Sequence, residues 1–225
     1  KGVGVYGRGT FMFGPRLEAT LGLRADHESK RADLDTSFSP ASFPTSPVKT
    51  EAAFTDVSPQ FTVAYHVRPS RQMLYATAVR GFKAGGFNPA SPVGGEAYDQ
   101  EHNWNYEGGV KTMLLEDHVS LNASAFYMTW DDLQVNVPNP FAPGQYFIAN
   151  AGGATSKGVE VELNVRGLEG CDFFASVGYT NARFGDGSVS GGQDVSGRTL
   201  KNTPAYTAMV GGQYSVPVNS RASLY

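Results

Sequence analysis

What this chain has little of decides most of what it cannot be. One cysteine, Cys171, in 225 residues rules out an internal disulfide framework and most cysteine-based zinc sites. Charged residues make up 17%, with a net charge of −3, so there is no electrostatic reason to expect nucleic acid. No apolar run approaches the ~18 residues of a membrane helix, which excludes helical spans and says nothing of strands. His27, His66, His102 and His118 are dispersed without an i, i+4 pair, so no metal site is expected. Asp131-Asp132 and the loop from Asp186 to Asp194 lack the spacing of a helix–loop–helix calcium site. Gly2-Val3-Gly4-Val5-Tyr6-Gly7 matches a dinucleotide fingerprint in letters but opens no helix. No nucleophile lies beside a base in any defensible arrangement. The sequence therefore points to no catalytic residue, no metal and no cofactor.

What is abundant is glycine, at 27 residues, and aromatic side chains, at 12%. The plainest local pattern is Gly158–Arg166, where Val159, Val161, Leu163 and Val165 alternate with Glu160, Glu162, Asn164 and Arg166. Successive strand side chains point to opposite faces, so this run is an extended strand with one oily and one polar side. The same alternation predicts strands over Lys1–Phe13, Leu17–Ala25, Phe54–His66, Met73–Phe82, Trp104–Leu114, Val119–Val137, Asp172–Phe184 and Tyr206–Tyr214, with a further one beginning at Arg221. Pro59 marks a bulge or an edge-like kink in the third of these. Short breaks near residues 15, 69, 117, 168 and 217 recur at about 50 residues, with two strands and one long loop between them. The longest connections run over 28–50, 83–103, 138–154 and 185–203.

Alternating short and long connections, and several strands of ten or more residues, characterise a transmembrane β-barrel with short periplasmic turns and long extracellular loops. The slightly negative mean hydropathy fits, because half of each strand faces water. Aromatics such as Phe11, Phe13, Tyr65, Trp104, Tyr106, Tyr127, Tyr179 and Tyr206 lie on the oily faces, as girdles at the edges of an apolar band would. A soluble sandwich would need larger side chains where this chain mixes glycine and alanine into its apolar faces. A β-propeller of four-stranded blades fits the period but not two long strands per period. The fold class expected is thus all-β, an antiparallel barrel segment of about ten strands. A second packed layer over Val159, Val161, Leu163 and Val165 would exclude it.

Particular runs carry a resemblance. Tyr75-Ala76-Thr77-Ala78-Val79-Arg80-Gly81-Phe82-Lys83-Ala84-Gly85-Gly86-Phe87-Asn88 resembles a stretch in the second half of the barrel of TonB-dependent outer-membrane receptors. Glu101 to Lys111, Leu121 to Gln134, Asn150-Ala151-Gly152, Gly178-Tyr179-Thr180-Asn181-Ala182 and Leu200-Lys201-Asn202-Thr203-Pro204 extend the similarity in order. The resemblance implies uptake of a scarce ligand, such as an iron–siderophore, through a barrel of about 22 strands with a plugged lumen. It implies outer-membrane lipid, a plug domain, the remaining barrel strands and the TonB energy-coupling complex as partners. Residues 1–225 read as a partial barrel domain without plug or final strands, both ends looking like cuts.

Arg80 and Lys83, where a strand enters its loop, are candidates to meet an anionic ligand or a plug carboxylate; the competing reading pairs them with a neighbouring Glu. Tyr98, Phe141, Tyr146 and Phe147, on long loops, are candidate ligand contacts or loop-packing aromatics. Glu107, Lys111, Glu160, Glu162 and Arg166 are expected to form hydrogen-bond and ion-pair ladders in the lumen. A passive porin-like channel and a secreted carbohydrate-binding propeller or sandwich stay open as alternatives. A cut barrel exposes two raw edges, so the piece is expected to close into a narrower barrel or to pair with another chain.

Overall fold

The computed structural model describes residues 1–35, 37, 47–68, 71–142, 144–168, 170–219 and 222–224. Nine long strands lie side by side in chain order: β1 (Gly2–Phe13), β2 (Leu17–Leu34), β3 (Val48–Arg68), β4 (Gln72–Lys83), β5 (Glu101–Leu114), β6 (Val119–Asp131), β7 (Ala154–Leu168), β8 (Cys171–Phe184) and β9 (Tyr206–Tyr214). Every neighbouring pair is antiparallel. No helix occurs among the described residues. One meandering sheet of this kind is not a propeller, whose blades would be separate four-stranded units.

The register turns the alternation of each strand into rows across the wall. One row reads Phe11, Ala19, Val63, Ala76, Gly108, Ala125, Val159, Tyr179, Tyr206. The next row, one residue along and therefore on the opposite face, reads Met12, Glu18, Ala64, Tyr75, Gly109, Ser124, Glu160, Gly178, Thr207. A one-residue slip in any pair would mix the two. No second layer covers the oily face: Val159 is 50% and Val161 38% exposed, and Val5 and Val210 are each 70% exposed. The polar face is the crowded one, with Thr20 and Ala64 buried on it.

Polar-face side chains zip the strands together. Thr10, Thr20, Thr62 and Thr77 follow one another across β1–β4, with hydroxyl–hydroxyl distances of 3.0 Å for Thr10–Thr20 and 2.8 Å for Thr62–Thr77. Further on, aromatic rings lie over cross-strand glycines. Phe126 covers Gly158, where an added Cβ would come within 2.6 Å of the ring, and Phe174 covers Gly211 in the same manner. Tyr75 covers Gly109 in the same way, at 2.7 Å. The glycines that dilute the strands are seats for rings, which keeps the wall thin and the lumen side filled.

Three differences from the sequence reading have physical causes. β2 and β3 run on to Leu34 and from Val48, pairing Glu28↔Phe54 through Leu34↔Val48 where a polar loop was expected. Charged residues fall on both faces of this extension, Glu28 and Lys30 on one and Arg31 and Asp33 on the other, so no apolar period betrays it although Ala32 is buried; Lys49–Asp33 at 3.4 Å and Lys30 over the Phe54 ring decorate it. Of that connection, Pro40 and Pro44 lie outside the described residues, as do Pro69, Ser70, Glu169 and the expected strand start at Arg221. The single strand expected over Val119–Val137 breaks at Asp132, which has a left-handed φ of 56°, and Gln134–Pro138 departs to pair with Tyr146–Asn150. Pro59 makes no bulge against β2, where it opposes Leu23; instead the β3–β4 ladder stops beside it, at Gln60↔Val79.

The sheet does not close, contrary to the expectation for a cut barrel. Among the described residues the outer edges of β1 and β9 are unpaired. Nine strands is an odd number, so β1 and β9 run the same way and could meet only as a parallel pair in an otherwise antiparallel wall. Beyond β9, Val216–Asn219 and Ala222–Leu224 form a separate small hairpin.

Candidate functional site

All short turns sit at one end of the wall and all long connections at the other. The short end is built tightly. Between β5 and β6, Leu115, Glu116 and Asp117 have φ of 48°, 55° and 73°, three consecutive non-glycine residues in the left-handed region. His118 steadies the turn: its amide donates to the Leu115 carbonyl, and its Nδ1 lies 2.8 Å from the Arg166 carbonyl.

At the opposite end, three long connections, 84–100, 132–153 and 185–205, are laced into one body. Asn88, buried, donates through its side-chain amide to the carbonyls of Gly95 and Ile148, each at 2.8 Å, and accepts from the Ile148 amide at 2.9 Å. Asn150 accepts from the Asp99 amide and donates to the carbonyls of Asp99 and Asp132. Gln134 donates to the carbonyls of Ala84 and Asp99, while its backbone amide donates to Glu101 at 2.7 Å. The third connection joins through Ser188, fully buried, whose hydroxyl donates to the Gly153 carbonyl at 2.8 Å. Gly152, at φ 102°, leaves room for Ser188, which would lie 3.1 Å from an added Cβ. In the small hairpin Val189–Ser190/Gln193–Asp194, the Ser196 hydroxyl and amide hold the Asp194 carboxyl below the ordinary carboxylate range.

The six candidate residues fall into two groups. Arg80 is committed to the wall: its guanidinium donates to Asp56 Oδ1 at 2.5 Å and to the Val57 carbonyl at 2.7 Å. His102 Nε2 lies 3.1 Å from the same Asp56 oxygen, and Ser58 donates to the other. This cluster spans the gap where the β3–β4 ladder has stopped. Lys83 is exposed at the end of β4, opposite Glu101. The four aromatics belong to the loop body. Tyr98 pairs with Gly86 and lays its ring against it; Tyr146 and Phe147 share the strand opposite Val137 and Pro138; Phe141, 60% exposed, sits at that hairpin's tip.

A cleft of about 320 Å³ opens between the three loops, with Phe147 in its wall. Asn88, Asn150 and Gln134 organise this end, and single-residue reasoning missed them as such. Asn88 and Asn150 stand in the runs that carry the family resemblance, which was the available signal.

On the polar face a groove of about 480 Å³ is lined by Tyr75, Glu107, Lys111, Glu160 and Glu162, among others. The expected polar ladder is present as hydrogen bonds: Tyr75 donates to Glu107 at 2.6 Å, Asn164 donates to Glu162 at 2.9 Å, and Lys111 Nζ stands 5.5 Å from the Tyr75 ring centroid. Among the described residues, the five charged groups named for it form no ion pair with one another; pairs such as Arg24–Asp26 and Arg80–Asp56 lie elsewhere. No cluster of three metal-ligating side chains occurs among the described residues.

The family model described as "TonB dependent receptor-like, beta-barrel" matches residues 1–223. The metal-pseudopaline receptor CntO of Pseudomonas aeruginosa is 27% identical over 205 residues, covering 90% of this chain and 26% of that protein. The structure of the ferric yersiniabactin uptake receptor FyuA from Yersinia pestis superposes with a TM-score of 0.75 at 21% identity, over 99% of this chain and 32% of that one. The copper transporter OprC gives 0.74 at 17% identity, over 96% and 32%. The chain therefore spans about a quarter to a third of the length of these relatives. An open antiparallel wall, oily on one face and polar on the other, is matched nearly end to end by one family model: the chain belongs to the TonB-dependent receptor β-barrel family, whose members are transporters of the outer membrane and not enzymes.

Proposed function

We propose that this chain is part of the wall of an outer-membrane receptor that takes up a scarce metal chelate, such as an iron–siderophore, through a plugged barrel. The carrying observation is the combination of two faces with two ends. An oily face without a covering layer needs lipid, and the crowded polar face needs an aqueous or polar filling. The long loops, bonded into one body, make a receiving surface at one end. The relatives, a metal-pseudopaline receptor, a ferric yersiniabactin uptake receptor and a copper transporter, favour metal in chelated or free form as cargo. Nine strands are fewer than half of the about 22 in plugged outer-membrane transporters. The rest of the wall, the plug and the contact with the TonB complex fall to the remainder of the receptor.

Within this reading Phe141, Tyr146 and Phe147 are placed to meet incoming ligand, Tyr98 supports them, and Arg80 is a strut between β3 and β4. The test is uptake of radiolabelled iron chelates and of copper by cells expressing the full-length receptor, with and without a protonophore. Accumulation abolished by the protonophore is expected. Accumulation that ignores it would mark a passive channel and overturn the proposal.

A further inference from the structure

The cleft between the three loops is unlike the rest of the polar surface in one respect: nothing in it is charged. Its wall includes Pro92, Val137, Pro140, Phe147, Ala149 and Val189, with Asn150 as a polar edge. The absence extends along the contributing segments. Residues 84–95, 133–153 and 187–193 contain no Asp, Glu, Lys, Arg or His, although Asp186 and Asp194 flank the last of them. Proline rings bring flat apolar surface and no backbone donor. Val137, 1% exposed, closes the floor. At about 320 Å³ the cleft is at the lower end of the ~300–1,000 Å³ range of small-molecule pockets, room for a one- or two-ring group. Its walls are fixed before any ligand arrives, because Asn88, Asn150 and Ser188 bond the loops to one another. A fixed cavity spares a ligand the cost of ordering it.

A charged group entering this cleft would leave water for a wall that offers no counter-charge and few hydrogen bonds. We propose that the cleft is a subsite for an uncharged, ring-bearing part of the ligand and selects against carboxylates there. This rests on the loop end being the receiving surface, as argued above. The charges of a chelate's metal centre would then lie outside the cleft.

The experiment uses the full-length receptor in lipid nanodiscs and two probes with the same ring system, indole and indole-3-carboxylate, followed by saturation-transfer NMR titration. Indole is expected to saturate, with the carboxylate binding at least about tenfold more weakly. Val189→Asp and Phe147→Ala should each weaken indole by about tenfold or more, while Leu115→Asp, exposed at the short-turn end far from the cleft, leaves it unchanged. Heat-modifiable gel mobility reports that each variant is folded. Equal affinity for the two probes, or full indole binding by folded Val189→Asp, overturns the subsite. Chelate uptake measured in parallel separates the two readings. Failed uptake with selective indole binding removes the transport role alone, and normal uptake with unselective binding removes the subsite alone.

Discussion

At the scale of single residues, two kinds of side chain carry more than their type suggests. Asn88 makes three hydrogen bonds while buried, two of them to a residue 60 positions away. Asn88→Ala leaves the Gly95 and Ile148 carbonyls and the Ile148 amide without partners, a local loss of about 2–3 kcal/mol. Hydrogen exchange at Ile148 should rise by at least about tenfold, with strand amides in β5 and β6 unaffected. The sequence places Asn88 within the glycine-rich run that carries the family resemblance, yet its role was illegible because its partners come from another loop. The turn at Leu115–Asp117 behaves in the opposite sense. There a left-handed φ, which costs about 1–2 kcal/mol for a side chain bearing Cβ, is imposed on residues that ill suit it. Glu116→Gly should stabilise the full-length receptor by about 0.5–1 kcal/mol in chemical denaturation, the relief exceeding glycine's extra unfolded-state entropy. Alternation located this turn within a residue or two, but three successive positive φ values leave no mark in the letters Leu-Glu-Asp.

At the scale of elements, periodicity is informative only where one face of a strand meets something apolar. It marked out the middle of every strand from β1 to β9 and lost the extensions of β2 and β3, which carry charged residues on both faces. That extension raises a mechanical question, since β3 above Pro59 has β2 on one side and no ladder with β4 on the other. Asp56 answers it. Its side chain, 4% exposed, receives Arg80, His102 and Ser58 and so ties β3 to β4 and β5 across the gap. Asp56→Asn removes the countercharge from a partly buried guanidinium and should cost about 2 kcal/mol locally. The measurement is limited proteolysis of the intact receptor between residues 48 and 58, expected to accelerate in Asp56→Asn and in Arg80→Met alike. If cleavage accelerates in Arg80→Met only, the carboxylate is not the tie and Val57 alone holds the strut. The sequence had flagged Arg80 as a ligand candidate with a neighbouring glutamate as the alternative partner, whereas the partner is an aspartate. Which acid was beyond it, because Asp56 and Arg80 become neighbours only once β3 and β4 have paired below them.

At the scale of the whole molecule, the decisive property is which face needs which solvent, and here the sequence was most legible. The valines of β7 stand out on an uncovered face, and the rows through Val159 and Val161 stay apolar across all nine strands. A count of strands did not reveal that the wall stays open, since parity becomes a constraint only when the first and last strands must meet. The two faces make unequal demands on substitution. Val161, at the middle of β7, should meet the hydrocarbon; Ser176, paired with Glu162 on β8, looks into the polar groove. A lysine near the bilayer midplane of a barrel costs about 2–4 kcal/mol. Val161→Lys should therefore lower the unfolding free energy of the full-length receptor in bilayers by that amount. Ser176→Lys, beside the carboxylates of Glu160 and Glu162, should change it by less than about 0.5 kcal/mol. The contrast rests on the direction of burial alone, because both sites receive the same side chain in adjacent strands. Urea titration of the two variants in matched vesicles measures it. A costly Ser176→Lys with a harmless Val161→Lys would turn the wall inside out, and no reading of the loops or the cleft would then survive.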